Sequence, residues 1–116
     1  RRERKFPSSW KTPVLKILKE YSKKSISYNT PNIDLSRCGL NDIIYHLVQY
    51  LKMDTYGRQE KRLEAQNSSH ETWSFIFPIT DDNHHPHKYY GKITYNSSKK
   101  IIRIQSAKPS TSLSKS

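Results

Sequence analysis

Cysteine occurs once in the 116 residues, as Cys38. A single thiol excludes an internal disulfide framework and a zinc site built from thiolates. No apolar run approaches the roughly 18 residues that a membrane-spanning helix needs, and no signal-peptide pattern opens the chain. Apolar residues make up only 33% of the composition, a share that leans toward disorder. Carboxylates are missing altogether from residue 83 onward. The length leaves no room for a cofactor domain beside a substrate domain. What remains is a small, basic chain, expected to be soluble and intracellular, and nuclear if its host is a eukaryote. It opens Arg1-Arg2-Glu3 without an initiator Met, which reads as a piece of a longer protein or a processed product.

Two features oppose the disorder signal. Eight Tyr, three Phe and two Trp supply rings large enough to build a small core from few residues. Charge is also unevenly placed within the net +11. Residues 1–30 hold nine Lys/Arg and two acids, residues 31–82 five Lys/Arg and eight acids, and residues 83–116 seven Lys/Arg and no acid. The ends therefore carry +7 each around a middle of −3. If the ends meet in the fold they form one basic face, which attracts a polyanion through counterion release. The competing reading is a solubility surface around an acidic partner site.

Residues 1–11 read as a basic arm whose Phe6 and Trp10 dock on the domain. Thr12-Pro13 reads as a helix start, followed by Val14, Ile17, Leu18 and Tyr21 on one face. The strongest helical pattern is Leu40, Ile43, Ile44, Leu47, Val48 and Leu51, beginning at Ser36 or Gly39. Residues 54–71 are polar, and Arg58 to Gln66 reads as a short solvated helix or a loop. The period then changes to two: Trp73, Phe75, Phe77 and Ile79 alternate, as do Tyr89, Gly91, Ile93 and Tyr95. A third strand runs from Lys100 to Ser106. Pro78 places its strand at an edge or a bulge.

This order predicts an α+β fold: two or three helices followed by a three-stranded antiparallel meander, with a winged-helix-like outline. The expected organisation is a basic arm over 1–11, one domain over 12–106, and a disordered Ser-rich tail over 107–116.

Candidate chemistry is sparse. His84, His85 and His87 near Asp81 and Asp82 resemble metal ligands by type, but they share one loop and have no partner on a rigid element, so no metal or cofactor is expected. His70, Glu71 and the loop histidines, with Lys88 or Arg103, are the parts a metal-free ribonuclease uses, without a motif that fixes their geometry. His46 reads as structural, and Cys38 as a packing residue. The more specific signal is the interleaving of Tyr89, Tyr90, Lys92 and Tyr95 with Lys88, Lys99, Lys100 and Arg103, since rings stack on bases and cations hold phosphates.

The sequence thus predicts a nonenzymatic nucleic-acid-binding domain, DNA slightly ahead of RNA, from a larger chromatin, transcription or replication factor. Its expected contacts are Lys16, Lys19 and Lys23 on the first helix with Lys88, Tyr90, Lys92, Lys99, Lys100 and Arg103 on the hairpin, mainly to phosphates. The helix near 40–53 has too few cations to read a major groove. The alternatives are a protein–protein interaction module within a nucleoprotein assembly and a small ribonuclease toxin.

Overall fold

Trp10, Val14, Ile17 and Leu18 fall at i, i+4, i+7 and i+8, and they form the buried stripe of helix α1, Ser8–Glu20. The computed structural model describes residues 3–53, 55–60 and 69–110. Helix α1 begins earlier than Thr12-Pro13 because Trp10 belongs to its stripe. The Pro7 carbonyl starts it by accepting from Trp10 N (3.0 Å) and Lys11 N (2.9 Å), and Pro13 sits inside. It ends where Tyr21 turns left-handed, at φ 52°, and returns its N–H to the Ile17 carbonyl. Helix α2, Leu40–Lys52, starts at Gly39, with Asp42 in its first turn facing the positive end of the dipole. Ile43, Ile44, Leu47 and Leu51 are its buried face, whereas Leu40 and Val48, which the spacing places on the same face, are half-buried.

Six strands form one mixed sheet: β1 (Arg4–Lys5), β2 (Ile26–Tyr28), β3 (Tyr56–Glu60), β4 (His70–Thr80), β5 (Pro86–Asn96) and β6 (Ile101–Pro109). Their order across the sheet is β1-β3-β4-β5-β6-β2. Every neighbouring pair is antiparallel except β2 with β6, which is parallel. The chain leaves one edge at β1, crosses the sheet as α1 to the far edge at β2, and returns as α2 to β3. Both helices therefore cover the same face. None of the described helices is long and apolar enough to cross a membrane.

The α+β class holds, but the three-stranded meander with a winged-helix outline is corrected. Two helices pack on a six-stranded mixed sheet, and the three long strands are its centre. The short strands escaped a reading by periodicity for a physical reason. Two to five residues carry too little alternation to register, and β1, β2 and β3 exist only through pairing with distant segments. Arg58–Glu60, read as the start of a helix or loop, belong to β3, where Arg58 pairs with Ser74. Residues 61–66 of that segment lie outside the described residues.

The ends also join the fold further than their composition implies. Arg4 and Lys5 pair with β3, and Phe6 enters the core, stacking on Trp10 at 5.1 Å between ring centroids. At the other end Ala107 is fully buried, its carbonyl accepts from Asp34 N at 2.9 Å, and Lys108 pairs with Tyr90. Residues 1–2 of the arm and 111–116 of the tail lie outside the described residues. Pro78 is in a strand with neighbours on both sides, yet it lies beyond Ser74, the last residue of β4 registered with Arg58 on β3. The strand is locally an edge there, so the missing N–H costs no ladder bond to β3.

One core joins both helices to the inner face of the sheet, through Trp73, Phe75, Phe77, Ile79, Tyr89, Ile93, Ile102 and Ile104. Two glycines are required by close approach. A Cβ on Gly57 would stand 2.4 Å from the Phe6 ring and 2.7 Å from the Ser74 carbonyl. A Cβ on Gly91 would stand 2.9 Å from the rings of both Phe75 and Phe77.

Candidate nucleic-acid interface

Alternation along a strand sends successive side chains to opposite faces. Because Trp73, Phe75, Phe77 and Ile79 face the helices, Thr72, Ser74, Ile76 and Pro78 face the other way. On β5 the same rule turns Tyr89, Gly91 and Ile93 inward and Lys88, Tyr90, Lys92 and Thr94 outward. On β6 it turns Ile102, Ile104 and Ala107 inward and Arg103, Ser106 and Lys108 outward, with Gln105 the extra residue of a bulge opposite Lys92/Ile93. Among the described residues, no helix covers this outer face.

The outer face has an ordered composition. Across the strands, Ile76, Tyr90 and Lys108 form one row and Ser74, Lys92 and Ser106 the next, with Arg58 beside Ser74. A third row runs Glu60, Thr72, Thr94, Arg103 and Ser27. Tyr56 precedes Arg58 by two on β3 and is 46% exposed; Lys5 pairs with it from β1. The middle of the face is small and polar: Thr72, Ser74, Thr94 and Ser106 lie low between larger neighbours. Thr72 and Thr94 share a hydroxyl hydrogen bond of 2.6 Å, and the Gln105 amide donates to the Thr94 hydroxyl at 3.3 Å. Glu60, the carboxylate among these residues, accepts from the Ser74 hydroxyl at 2.7 Å. Lys92 stands within this trough, between Ser74 and Ser106, and Lys5, Arg58, Lys88, Arg103 and Lys108 lie around it on the same face.

The sequence-predicted contacts divide into three groups. Lys88, Tyr90, Lys92 and Arg103 share the outer face. Lys99 and Lys100 sit at the tip of the turn joining β5 to β6, where the Asn96 carboxamide oxygen accepts from Ser98 N and Lys99 N, and Lys100 takes a left-handed φ of 56°. Lys16, Lys19 and Lys23 are exposed on or just after α1, on the helical side. The sheet stands between them and the outer face, so the single basic face expected from the charge pattern does not form. Lys5, Tyr56, Arg58 and Lys108 went unread. Lys108 continues the alternation of β6, a signal present in the sequence; the others depend on β1 and β3.

The remaining candidates resolve as supports. The Asp81 carboxylate accepts from the backbone N–H of Asn83 and His85 (2.9 Å each) and meets His87 Nε2 at 2.8 Å. The His87 contact, then these N–H groups, hold its pKa down at about 2. Asp81 thus organises its own loop, and no group of three or more His, Cys, Asp or Glu among the described residues is placed to hold a metal ion. His46 Nδ1 donates to the Asp42 carbonyl at 2.7 Å while its Nε2 accepts from Thr80 N at 3.2 Å, tying α2 to the end of β4. Cys38 is half-buried; burial, then the Asp42, Asp82 and Asp34 charges, push its thiol pKa up, away from a nucleophile's range. Glu71 accepts from the Trp73 indole at 2.9 Å, and His70 stands opposite Asn96, eight residues along β5 from Lys88. That spacing is about 27 Å of strand, so His70 and Lys88 do not meet, whereas Arg103, opposite Thr94, lies two residues along β6 from the Asn96–Ile101 pair beside His70.

Compared with known proteins, the chain matches no protein-family model, and no curated protein or solved structure matches it significantly.

Proposed function

We propose that this chain is a nucleic-acid-binding domain whose interface is the outer face of the β-sheet, acting as a binding platform and not as an enzyme. The observation that carries the reading is the composition of that face. Lys92 stands in a polar trough with further cations around it, and Tyr90 and Tyr56 offer rings on the same face. Phosphates are held by cations without regard to sequence, and unstacked bases find aromatic surface. The face also selects the form of nucleic acid. A duplex is read by a helix or ribbon that protrudes into a groove, and this surface is a sheet face with neither. Single strands, whose bases can splay onto a sheet, fit it better than duplexes. The parent is then a larger factor that handles exposed single strands in chromatin, replication or transcription, with RNA a substrate of the same chemistry.

Fluorescence anisotropy with a labelled 12-nucleotide single strand and its duplex tests the proposal. The single strand is expected to bind more tightly, and Tyr90→Ala to weaken it by about 1–3 kcal/mol, the range for one lost base stack. Tyr90 is half-buried on the face away from the core, so the fold should survive. Absence of binding at low salt, or amide shifts confined to α1, would overturn the reading.

A further inference from the structure

The helical side carries its own surface. Helices α1 and α2 run antiparallel: the Tyr21 hydroxyl donates to the Asn41 side-chain oxygen at one end (2.5 Å), and Lys11 Nζ donates to the Met53 carbonyl at the other (2.9 Å). Between them lies a shallow groove whose floor is the buried Leu18 and Ile44 and the half-buried Val48, with Tyr21 and Tyr45 at its rims. Tyr45 is 58% exposed and Tyr21 40%, so two large rings stand in water beside an apolar strip. A second depression continues along α1 past Leu15, Lys16 and Lys19. Lys23 and Lys24 follow at the end of that helix, and Lys52 ends α2. Glu20 and Asp42 are the carboxylates these helices contribute.

We propose that this groove docks an acidic amphipathic helix of a partner protein, lying against α1 and α2 as a third helix. Three observations carry this. The groove is apolar and bordered by helices whose own backbone bonds are satisfied, so it offers anchors at helical spacing and no edge for strand addition. Its exposed tyrosines are the kind of residue that concentrates binding energy at interfaces. Lys19 lines it, Lys16 lies in the adjoining depression and Lys23, Lys24 and Lys52 stand at the helix ends, so a partner with acids flanking its apolar stripe is both attracted and oriented. Lys16, Lys19 and Lys23 gain a role here that the outer face of the sheet cannot give them, since the sheet separates the two. The groove and the nucleic-acid face are independent sites on one domain.

The test is selection on the full 116-residue chain from a displayed library of 18-residue peptides, with Leu or Phe at i, i+3, i+4 and i+7 and Glu or Asp between them. Selected peptides are synthesised with two controls, one carrying Lys for every acid and one carrying Ser for every apolar residue. An acidic amphipathic peptide should bind with a Kd of about 1–50 μM. Amide shifts should fall on Leu18, Ile44, Tyr45 and Val48. Tyr45→Ala and the pair Lys16→Glu, Lys19→Glu should each weaken binding at least about tenfold with unchanged melting temperature, since all three positions are exposed. A saturating oligonucleotide should not displace the peptide. The proposal is overturned if no acidic amphipathic peptide binds below about 200 μM. Equal binding by either control, displacement by the oligonucleotide, or shifts on β4–β6 would also overturn it. Failure of the chain to bind oligonucleotides leaves these expectations intact, so the two proposals fail separately.

Discussion

Salt dependence gives the outer face its sharpest test, because the slope counts phosphates. Among the described residues, Lys5, Arg58, Lys88, Lys92, Arg103 and Lys108 are the cations of that face. If all six meet phosphates of a single strand, log K should fall against log salt with a slope of about −4, at roughly −0.7 for each phosphate neutralised. Affinity then drops roughly 300-fold between about 50 and 200 mM salt. Replacing Lys92 and Arg103 by Gln removes two of the six and should flatten the slope to about −3. Both are central on the face, Arg103 reaching the Ser27 hydroxyl at 3.5 Å, and neither supports the core. The measurement is a set of anisotropy titrations at four salt concentrations on the parent and the double variant, with a Lys16, Lys19 double Gln variant as control. The control should keep the parent slope, because those cations lie on the helical side. An unchanged slope in the Lys92, Arg103 variant, or a slope flattened equally by the helix control, refutes the assignment of the site to the sheet.

Further outcomes follow from packing and titration. Leu47→Ala should cost about 2–5 kcal/mol in urea unfolding, since Leu47 is fully buried at the contact of α2 with the core. Gly57→Ala should lower the melting temperature, because the added methyl meets the Phe6 ring and the Ser74 carbonyl; retained stability would mean β1 does not close on β3 as described. Ending the chain at residue 106 should also lower it, through loss of buried Ala107 and of the pairing of Lys108 and Pro109 with β5, whereas ending it at 110 keeps both. The Asp81 carboxylate has a depressed pKa, so its support of the loop is fully present above the unfolded value of 3.8 and is lost as pH falls through about 2. The Asn83 and His85 amide signals should therefore titrate near pH 2; a midpoint at 4 would show that the carboxylate is not held as described.

What the sequence disclosed depended on the length over which a pattern repeats. The apolar pattern of α2 repeats over twelve residues, Leu40 to Leu51, and its core face can be read without a structure. The three long strands likewise show period two, and Trp73, Phe75 and Phe77 were legible as core. The start of α1 was obscured by Thr12-Pro13, a strong local N-terminal signal overridden because burial of Trp10 against Phe6 and Trp73 extends the helix upstream. Strands β1, β2 and β3 have almost no local signature and are set by long-range pairing, which no window of sequence contains. That loss removed Lys5, Tyr56 and Arg58 from the candidate site.

The charge pattern holds as a count and misleads as geometry, and the topology explains why. Two basic ends form one face only if both project from the same side of the sheet. Here the N-terminal cations are split by crossing the sheet: Lys5 on β1 falls on the outer face, while Lys16, Lys19 and Lys23 follow on or after the covering helix. The C-terminal cations Lys88, Lys92, Arg103 and Lys108 alternate outward because the helices occupy the inner face and Tyr89, Ile93, Tyr95, Ile102, Ile104 and Ala107 are buried there. Charge of one sign thus ends on two opposed surfaces of different chemistry, a polar trough with flanking tyrosines and an apolar groove between helices. A single polyanion cannot lie on both faces without wrapping an edge of the sheet. Two ligands of different kinds can, and that is the arrangement from which both proposals follow.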